Sequence, residues 1–394
     1  MRFLFKLTKL LYLFPFCFQT LNACTAFQLT SQDNSLVYCR SMELGVDLRS
    51  NLLLVPRNTS YQGTAPNNKP GLNWKTKYGF VGVNQWLFPN VVSDGMNEKG
   101  LVVGMLLLPG FAEYEKEDPE KLDRTIGAWE LGAFLLSNCA TVEEATSLLD
   151  KILVVQQPIP SINFSLPLHY YIADSKGSVI VVEYVGGKKF IHDNPVKVLT
   201  NSPPFDWHIK NLSNYVNLSP LNIPDFTNSK KDLIKAIGEG SGLLGIPGDY
   251  TPPSRFVRAS LYSAWATVAK NGDDAARLGF HILNTFDIFF GIIREKPSDI
   301  HVGFSKELLN HIIEANKGDP SININKTINT DFTQWIVVHD QTQLKTYFRD
   351  YFSLEIQAVD LKKLDFSKPG IKQNEVTRDF IVNDITDKFT PIKK

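Results

Sequence analysis

The chain has 394 residues, 43% hydrophobic and 11% aromatic, and its 41 basic residues balance its 41 acidic ones. Such a composition supplies a globular core and excludes intrinsic disorder. The charge balance leaves neither a basic excess to draw nucleic acid nor an acidic tail.

The first 23 residues differ from the rest. Arg2, Lys6 and Lys9 precede an apolar run from Leu10 to Phe18, and Leu21-Asn22-Ala23 puts a small residue before Cys24. This is the layout of a secretory signal peptide cut at Ala23. The run is shorter than the roughly 20 apolar residues that cross a bilayer, and no later stretch is long and apolar enough. The expectation is an exported chain, periplasmic or secreted, with residues 24–394 as a single domain and the stretch after Leu364 as an extension. Its mature form carries a net charge of −3 once Arg2, Lys6 and Lys9 are lost.

Of the four cysteines, Cys17 leaves with the leader, and Cys24, Cys39 and Cys139 remain. An odd number outside the cytosol leaves one thiol free or pairs it between chains. Cys39 and Cys139 either pair or stay as two buried thiols. Leu21-Asn22-Ala23-Cys24 also resembles a bacterial lipobox, which would acylate both the sulfur and the amine of Cys24. That rival reading makes the chain a lipid-anchored, non-catalytic binding protein.

Next, Cys24 to Thr30 and Leu36 to Met42 read as strands around the turn residues Ser31-Gln32-Asp33-Asn34. Antiparallel pairing brings Cys24 opposite the stretch from Arg40 to Glu43. Further strands are expected at Leu52 to Pro56, Tyr78 to Val83, Val91 to Ser93 and Leu101 to Leu107, with a turn over Asn97 to Gly100. Helical spacing runs over Ile126 to Ser137 and Val142 to Leu153, the second capped by Thr141. Leu168 to Ala173 and Ser178 to Tyr184 form a hairpin, and another surrounds Gly186-Gly187. Phe256 to Lys270 and Asp273 to Leu283 read as helices, and Trp335 to Asp340 and Lys345 to Arg349 as late strands. Hairpins at both ends with helices between favour antiparallel sheets covered by helices over an alternating βαβ sheet.

An N-terminal Cys24 is a compact catalytic unit. Its thiol attacks an amide carbonyl, and its own α-amine takes and returns the proton. A nearby cation favours the thiolate; Arg40 is placed by the hairpin to supply it, and Glu43 to orient the amine.

Cys24-Thr25 followed by Arg40-Ser41-Met42-Glu43 resembles the start of the choloylglycine hydrolase and penicillin V acylase family of N-terminal-nucleophile (Ntn) hydrolases. Four further matches follow in order. They are Asp94 through Leu101, then Asn194-Pro195 with Val198 through Pro203 and Phe205-Asp206-Trp207-His208, then Pro247 through Tyr250 with Ser254 through Arg258, and last Thr333 to Phe348.

The resemblance implies an α+β fold, a four-layer αββα sandwich of two antiparallel sheets between helix layers, assembled as a homotetramer. It implies Cys24 as nucleophile, Arg40 at the sulfur, Asn201 offering its side-chain NH2 to the oxyanion, and Arg255 bracing the charges. Glu43 falls where the family more often has Asp, and its extra methylene moves the carboxylate. The second oxyanion donor, a backbone N–H, falls near Leu107. Bile-salt hydrolases tend to carry Asn there; Leu106-Leu107-Leu108-Pro109 implies a more apolar wall. The implied substrate is a small N-acyl amide, first a penicillin V-like phenoxyacetyl amide, then an acyl homoserine lactone or a conjugated bile salt.

Other residues receive plainer readings. Asp249 reads as structural and Trp207-His208 as a pair packed below the site, while Trp86, Phe88 and Tyr114 are candidates to line an acyl pocket. Gly240 to Gly245 fits a dinucleotide pattern but follows a helical stretch, Lys231 to Ile237, and Pro247 stops a helix opening there, so it reads as a loop. The seven histidines show no paired metal spacing, and neither metal nor cofactor is expected.

Overall fold

The hairpin that opens the fold is built by its turn. Asp33 Oδ1 accepts from Ser31 Oγ at 2.5 Å and from the Ser35 N–H at 3.0 Å, and Asn34 takes the left-handed conformation at φ 64° that Asn tolerates. The computed structural model describes residues 22–45, 47–85, 91–160, 164–227, 233–235, 238–294 and 330–390. Residues 1–21, which include most of the expected leader, lie outside them.

Among the described residues, fifteen strands make two antiparallel sheets. In chain order they are β1 (Asn22–Thr30), β2 (Leu36–Leu44), β3 (Leu52–Val55), β4 (Phe80–Val83), β5 (Asp94–Asn97), β6 (Val102–Leu107), β7 (Leu168–Ala173) and β8 (Val179–Val185). There follow β9 (Lys188–Asp193), β10 (Val198–Leu199), β11 (Ile293–Arg294), β12 (Thr330–Asp340), β13 (Lys345–Asp350), β14 (Gln357–Asp360) and β15 (Lys372–Asn374). The first sheet runs β10-β1-β2-β12-β13-β14, with β11 beside β12; the second runs β9-β8-β7-β6-β5-β4-β3-β15. Helices α1 (Leu131–Asn138) and α2 (Val142–Leu149) follow β6; α3 (Phe205–Asn211), α4 (Pro252–Trp265) and α5 (Gly272–Asn284) follow β10. Helix α4 packs on β1 and α5 on β2 and β12, while α1 covers β5 and β6. The result is the αββα sandwich, with the sheets face to face.

Between the sheets the strands are buried on both faces, so β2 and β12 contain no exposed residue. One contiguous apolar cluster runs from Cys24 to Val376. Cys39 and Cys139 are both buried free thiols within it, so no disulfide joins them. Close approach is strict at Gly104, where a Cβ would sit 2.3 Å from Tyr38 Oη of the facing sheet. Among the described residues no helix is long and apolar enough to cross a membrane.

Four local readings are corrected. Val91–Ser93 is not a strand; the strand is Asp94–Asn97, whose polar residues are satisfied inside the sandwich. Ile126 to Ser137 is not one helix, because Thr125–Gly127 pairs in parallel with Leu153–Val155 and α1 begins at Leu131. That pairing also ends α2 at Leu149; Thr141 caps it, its Oγ1 accepting from the Glu144 N–H at 3.2 Å. Of the helical stretch read over 231–237, the described Leu233–Ile234 is a short strand paired with Phe226–Thr227.

Candidate active site

Strand register places the first two site residues. On β1 and β2, Cys24 faces Met42 and Ala26 faces Arg40, so thiol, thioether and guanidinium share the face turned toward the second sheet. Arg40 is wholly buried there and is met by acceptors on several sides. Its Nη1 donates to Ser93 O at 2.6 Å and to Asp94 Oδ2 at 3.1 Å. Its Nη2 donates to Met105 O at 2.6 Å and lies 3.7 Å from Cys24 Sγ and 3.5 Å from Met42 Sδ. Stripping water from such a cation costs several kcal/mol unless a countercharge is built in, and Asp94 supplies it. Burial works against the charge, but Cys24, Tyr38 and Asp94 around it hold the guanidinium pKa above its ordinary value. Asp94 also accepts from Tyr38 Oη and meets His339 Nε2, each at 2.8 Å, and His339 Nδ1 reaches Thr346 Oγ1 at 2.8 Å.

The opposite face of the same hairpin looks at helix α4. Thr251, before the helix, precedes Pro252 and Pro253, which suit a helix start because their missing N–H groups are unpaired there anyway. Asp249 accepts from Thr251 Oγ1 and Ser254 Oγ and anchors this entry, so it is structural. From α4, fully buried Arg255 donates to Cys24 O, to Thr25 Oγ1 at 2.8 Å and to Asn201 Oδ1 at 2.9 Å. Asn201 follows β10 and closes the site: its Oδ1 accepts from Cys24 N at 2.6 Å, and its Nδ2 donates to Leu107 O at 2.8 Å. Two donors on Oδ1 fix which way the amide points. One Nδ2 hydrogen is on Leu107 O, and the second is left for another acceptor.

Leu107 ends β6. A strand residue's N–H and C=O project to the same side, so its N–H points to the side where its carbonyl meets Asn201. Leu106 and Leu108 beside it are buried, which makes this wall apolar.

Glu43 faces Ala23 across the hairpin and Thr333 of β12. Asn22 and Ala23 thus continue β1 upstream of Cys24, and the carboxylate sits opposite the residue just before the thiol. Its Oε1 accepts from Thr333 Oγ1 at 3.2 Å. Burial pushes the Glu43 carboxyl up to about 7, against the pull of Arg255.

The structure therefore brings buried Cys24, Arg40, Glu43, Asn201 and Arg255 and half-buried Leu107 into one site. Sequence reading missed Asp94, Met42 and Met105. Asp94 stands inside the matched block from Asp94 to Leu101, and that position was the available signal. Of the pair Trp207-His208, expected to pack below the site, only His208 does so. Trp207 is exposed, while His208 is buried and its Nε2 bonds Asn201 O at 2.8 Å. Tyr114 is spent on the backbone, accepting from Leu168 N and donating to Leu166 O, each at 2.6 Å. Trp86 and Phe88 lie outside the described residues. The Gly240 loop carries only a short 3-10 turn, Ser241–Leu243.

Comparison with known proteins gives concordant results. Residues 24–304 match the model of the linear amide C–N hydrolases, choloylglycine hydrolase family, and the match begins at Cys24. The chain is 36% identical over 283 residues to a bile salt hydrolase/transferase of Clostridium perfringens, covering 70% of this chain and 83% of that protein. It is 28% identical over 358 residues to a penicillin V acylase of Pectobacterium atrosepticum, covering 88% and 83%. The crystal structure of a mutant conjugated bile acid hydrolase from Clostridium perfringens superposes with a TM-score of 0.75 at 30% identity, covering 92% of this chain and all of that one.

Proposed function

The chain belongs to the choloylglycine hydrolase family of linear amide C–N hydrolases, and on that premise we propose that Cys24, freed at its amine by loss of residues 1–23, is its nucleophile. The observation that carries this reading is the convergence on one residue: Arg40 reaches its sulfur, Asn201 its nitrogen and Arg255 its carbonyl.

In the proposed cycle the α-amine takes the thiol proton as sulfur attacks the amide carbonyl. The oxyanion of the tetrahedral intermediate is met by the second Asn201 Nδ2 hydrogen and the Leu107 N–H. Collapse breaks the C–N bond, the α-ammonium returns its proton to the leaving amine, and a thioester remains on Cys24. Water, activated by the same amine, then releases the acid and regenerates the thiol. Arg40 stabilises sulfur as it gains charge, and Glu43 holds the α-ammonium.

The apolar wall at Leu106 to Leu108 suits an apolar or aromatic acyl group, for which a phenoxyacetyl amide is the first choice. A conjugated bile salt is the second reading, favoured by the 36% identity to the bile salt hydrolase/transferase. Acyl homoserine lactones complete the set. The leader supports export to a periplasm or outside the cell.

The test is turnover of these three amide classes by the purified mature protein and by Cys24→Ala. Hydrolysis by the first and none by the second supports the proposal; turnover by Cys24→Ala sinks it. A diacylglyceryl adduct on Cys24 would make the chain a lipid-anchored binding protein instead.

A further inference from the structure

The backbone that presents Asn201 is held from behind by groups outside the proposed chemistry. His169 on β7 is wholly buried, and its two ring nitrogens face acceptors on opposite sides: Nδ1 meets Glu183 Oε1 and Nε2 meets Thr200 O, each at 2.9 Å. A ring with an acceptor at each nitrogen donates to both only as an imidazolium. Glu183 on β8, itself 1% exposed, supplies the countercharge at the same spot. Glu183 also takes the Phe205 N–H at 3.0 and 3.2 Å, just past the loop that carries Asn201. The pair thus grips Thr200, immediately before Asn201, and Phe205, four residues after it. Among the described residues the hydrogen bonds of the pair reach Thr200 and Phe205, and not Cys24, Arg40 or Arg255.

We propose that His169 and Glu183 form a positioning dyad for Asn201: the ring clamps the Thr200 carbonyl, and so sets where the Asn201 amide meets the reacting carbonyl. This rests on the reading of Cys24 and Asn201 as the amide-hydrolysing site. Thr200 Oγ1 donates to Pro252 O at 3.0 Å and Ser202 Oγ to Pro109 O at 2.7 Å, so the loop keeps its general course without the dyad. What the dyad adds is the last fraction of an ångström, and a misplacement of about 1 Å costs on the order of 100-fold in rate.

The experiment is a double-mutant cycle on the mature protein with the best amide of the panel. His169→Phe keeps a ring of similar bulk without donors. It is expected to lower kcat by about 10- to 100-fold, with KM changed less than twofold, while circular dichroism shows a folded protein. In an Asn201→Ala background the same change is expected to cost less than about twofold, because the group it positions is gone. His169→Gln, which keeps one donor for the Thr200 carbonyl, recovers part of kcat. If His169→Phe does not fold, Glu183→Gln carries the same cycle, since it removes the countercharge at nearly equal volume.

An unchanged kcat, or equal losses in both backgrounds, overturns the dyad. Turnover by Cys24→Ala overturns the site reading beneath it; an inactive Cys24→Ala with an additive cycle refutes the dyad alone.

Discussion

Glu43 gives the account its most quantitative handle. Its carboxyl sits at about 7 with Ala23 still in place, against an ordinary 4.5. The native state therefore holds a proton that the unfolded chain has already lost between those two values. Where the folded state binds more protons, stability falls as pH rises. The loss begins near pH 4.5, is complete just above pH 7, and amounts to about 3 kcal/mol at 1.36 kcal/mol per unit. Glu43→Gln mimics the protonated acid and removes the titration. The perturbation is best made in a Cys24→Ala chain that retains Ala23, so that no α-amine forms. Urea unfolding at several pH values is expected to give equal stabilities for both proteins at the acid end. Above pH 7 the Gln variant should be more stable by up to about 3 kcal/mol. In the mature protein the difference should shrink, because an α-ammonium then stands where the Ala23 peptide was and favours the carboxylate. Parallel stability curves across the whole range would refute the burial argument.

Asn201→Ala should lower kcat by about 100- to 1,000-fold with a smaller change in KM; steady-state kinetics unchanged from wild type would remove it from the oxyanion site. Arg40→Met leaves Asp94 buried without its guanidinium, and urea unfolding should show a loss of about 3–5 kcal/mol; a loss below about 1 kcal/mol would mean that His339 alone suffices for Asp94. His208 titrates the other way from Glu43. Burial, with His169 and Arg255 nearby, pushes it down to about 4 from 6.5, so the unfolded chain binds a proton first as pH falls. Stability is then lost between pH 6.5 and 4, by about 3 kcal/mol. His208→Gln should flatten that limb in urea titrations, and an unaltered acid limb would contradict the assignment.

The hairpin of β1 and β2 was legible because its turn chemistry is local and its strands alternate around it. From it followed the Cys24–Arg40 proximity, confirmed by the pairing of Ala26 with Arg40. The helix cap at Thr141 was legible for the same reason. Illegible were features whose cause lies far along the chain. Asp94 stands only as the first residue of a matched block and Asn97 reads as a turn residue, since a sequence cannot show that Arg40 and the Leu136 and Cys139 carbonyls await them inside the sandwich. Thr125–Gly127 carries apolar spacing that suits a helix, but its strand partner lies at Leu153–Val155. Asn201 and Arg255 came only through family resemblance, because no local pattern places residues 177 and 231 positions from Cys24 beside it. The His169–Glu183 pair spans two strands and a loop and leaves no mark in any single segment.

The central claim concerns the state of one residue, so it is tested most directly by mass. Protein recovered from an exporting host and quenched during turnover should weigh as a chain beginning at Cys24. A fraction, quenched in acid so that the α-ammonium cannot take the acyl group from sulfur, should carry the mass of that group, mapped to Cys24 by digestion in acid. A chain beginning at another residue, a lipid or acyl cap on Cys24 already present before substrate is added, or an adduct that maps elsewhere would contradict the account.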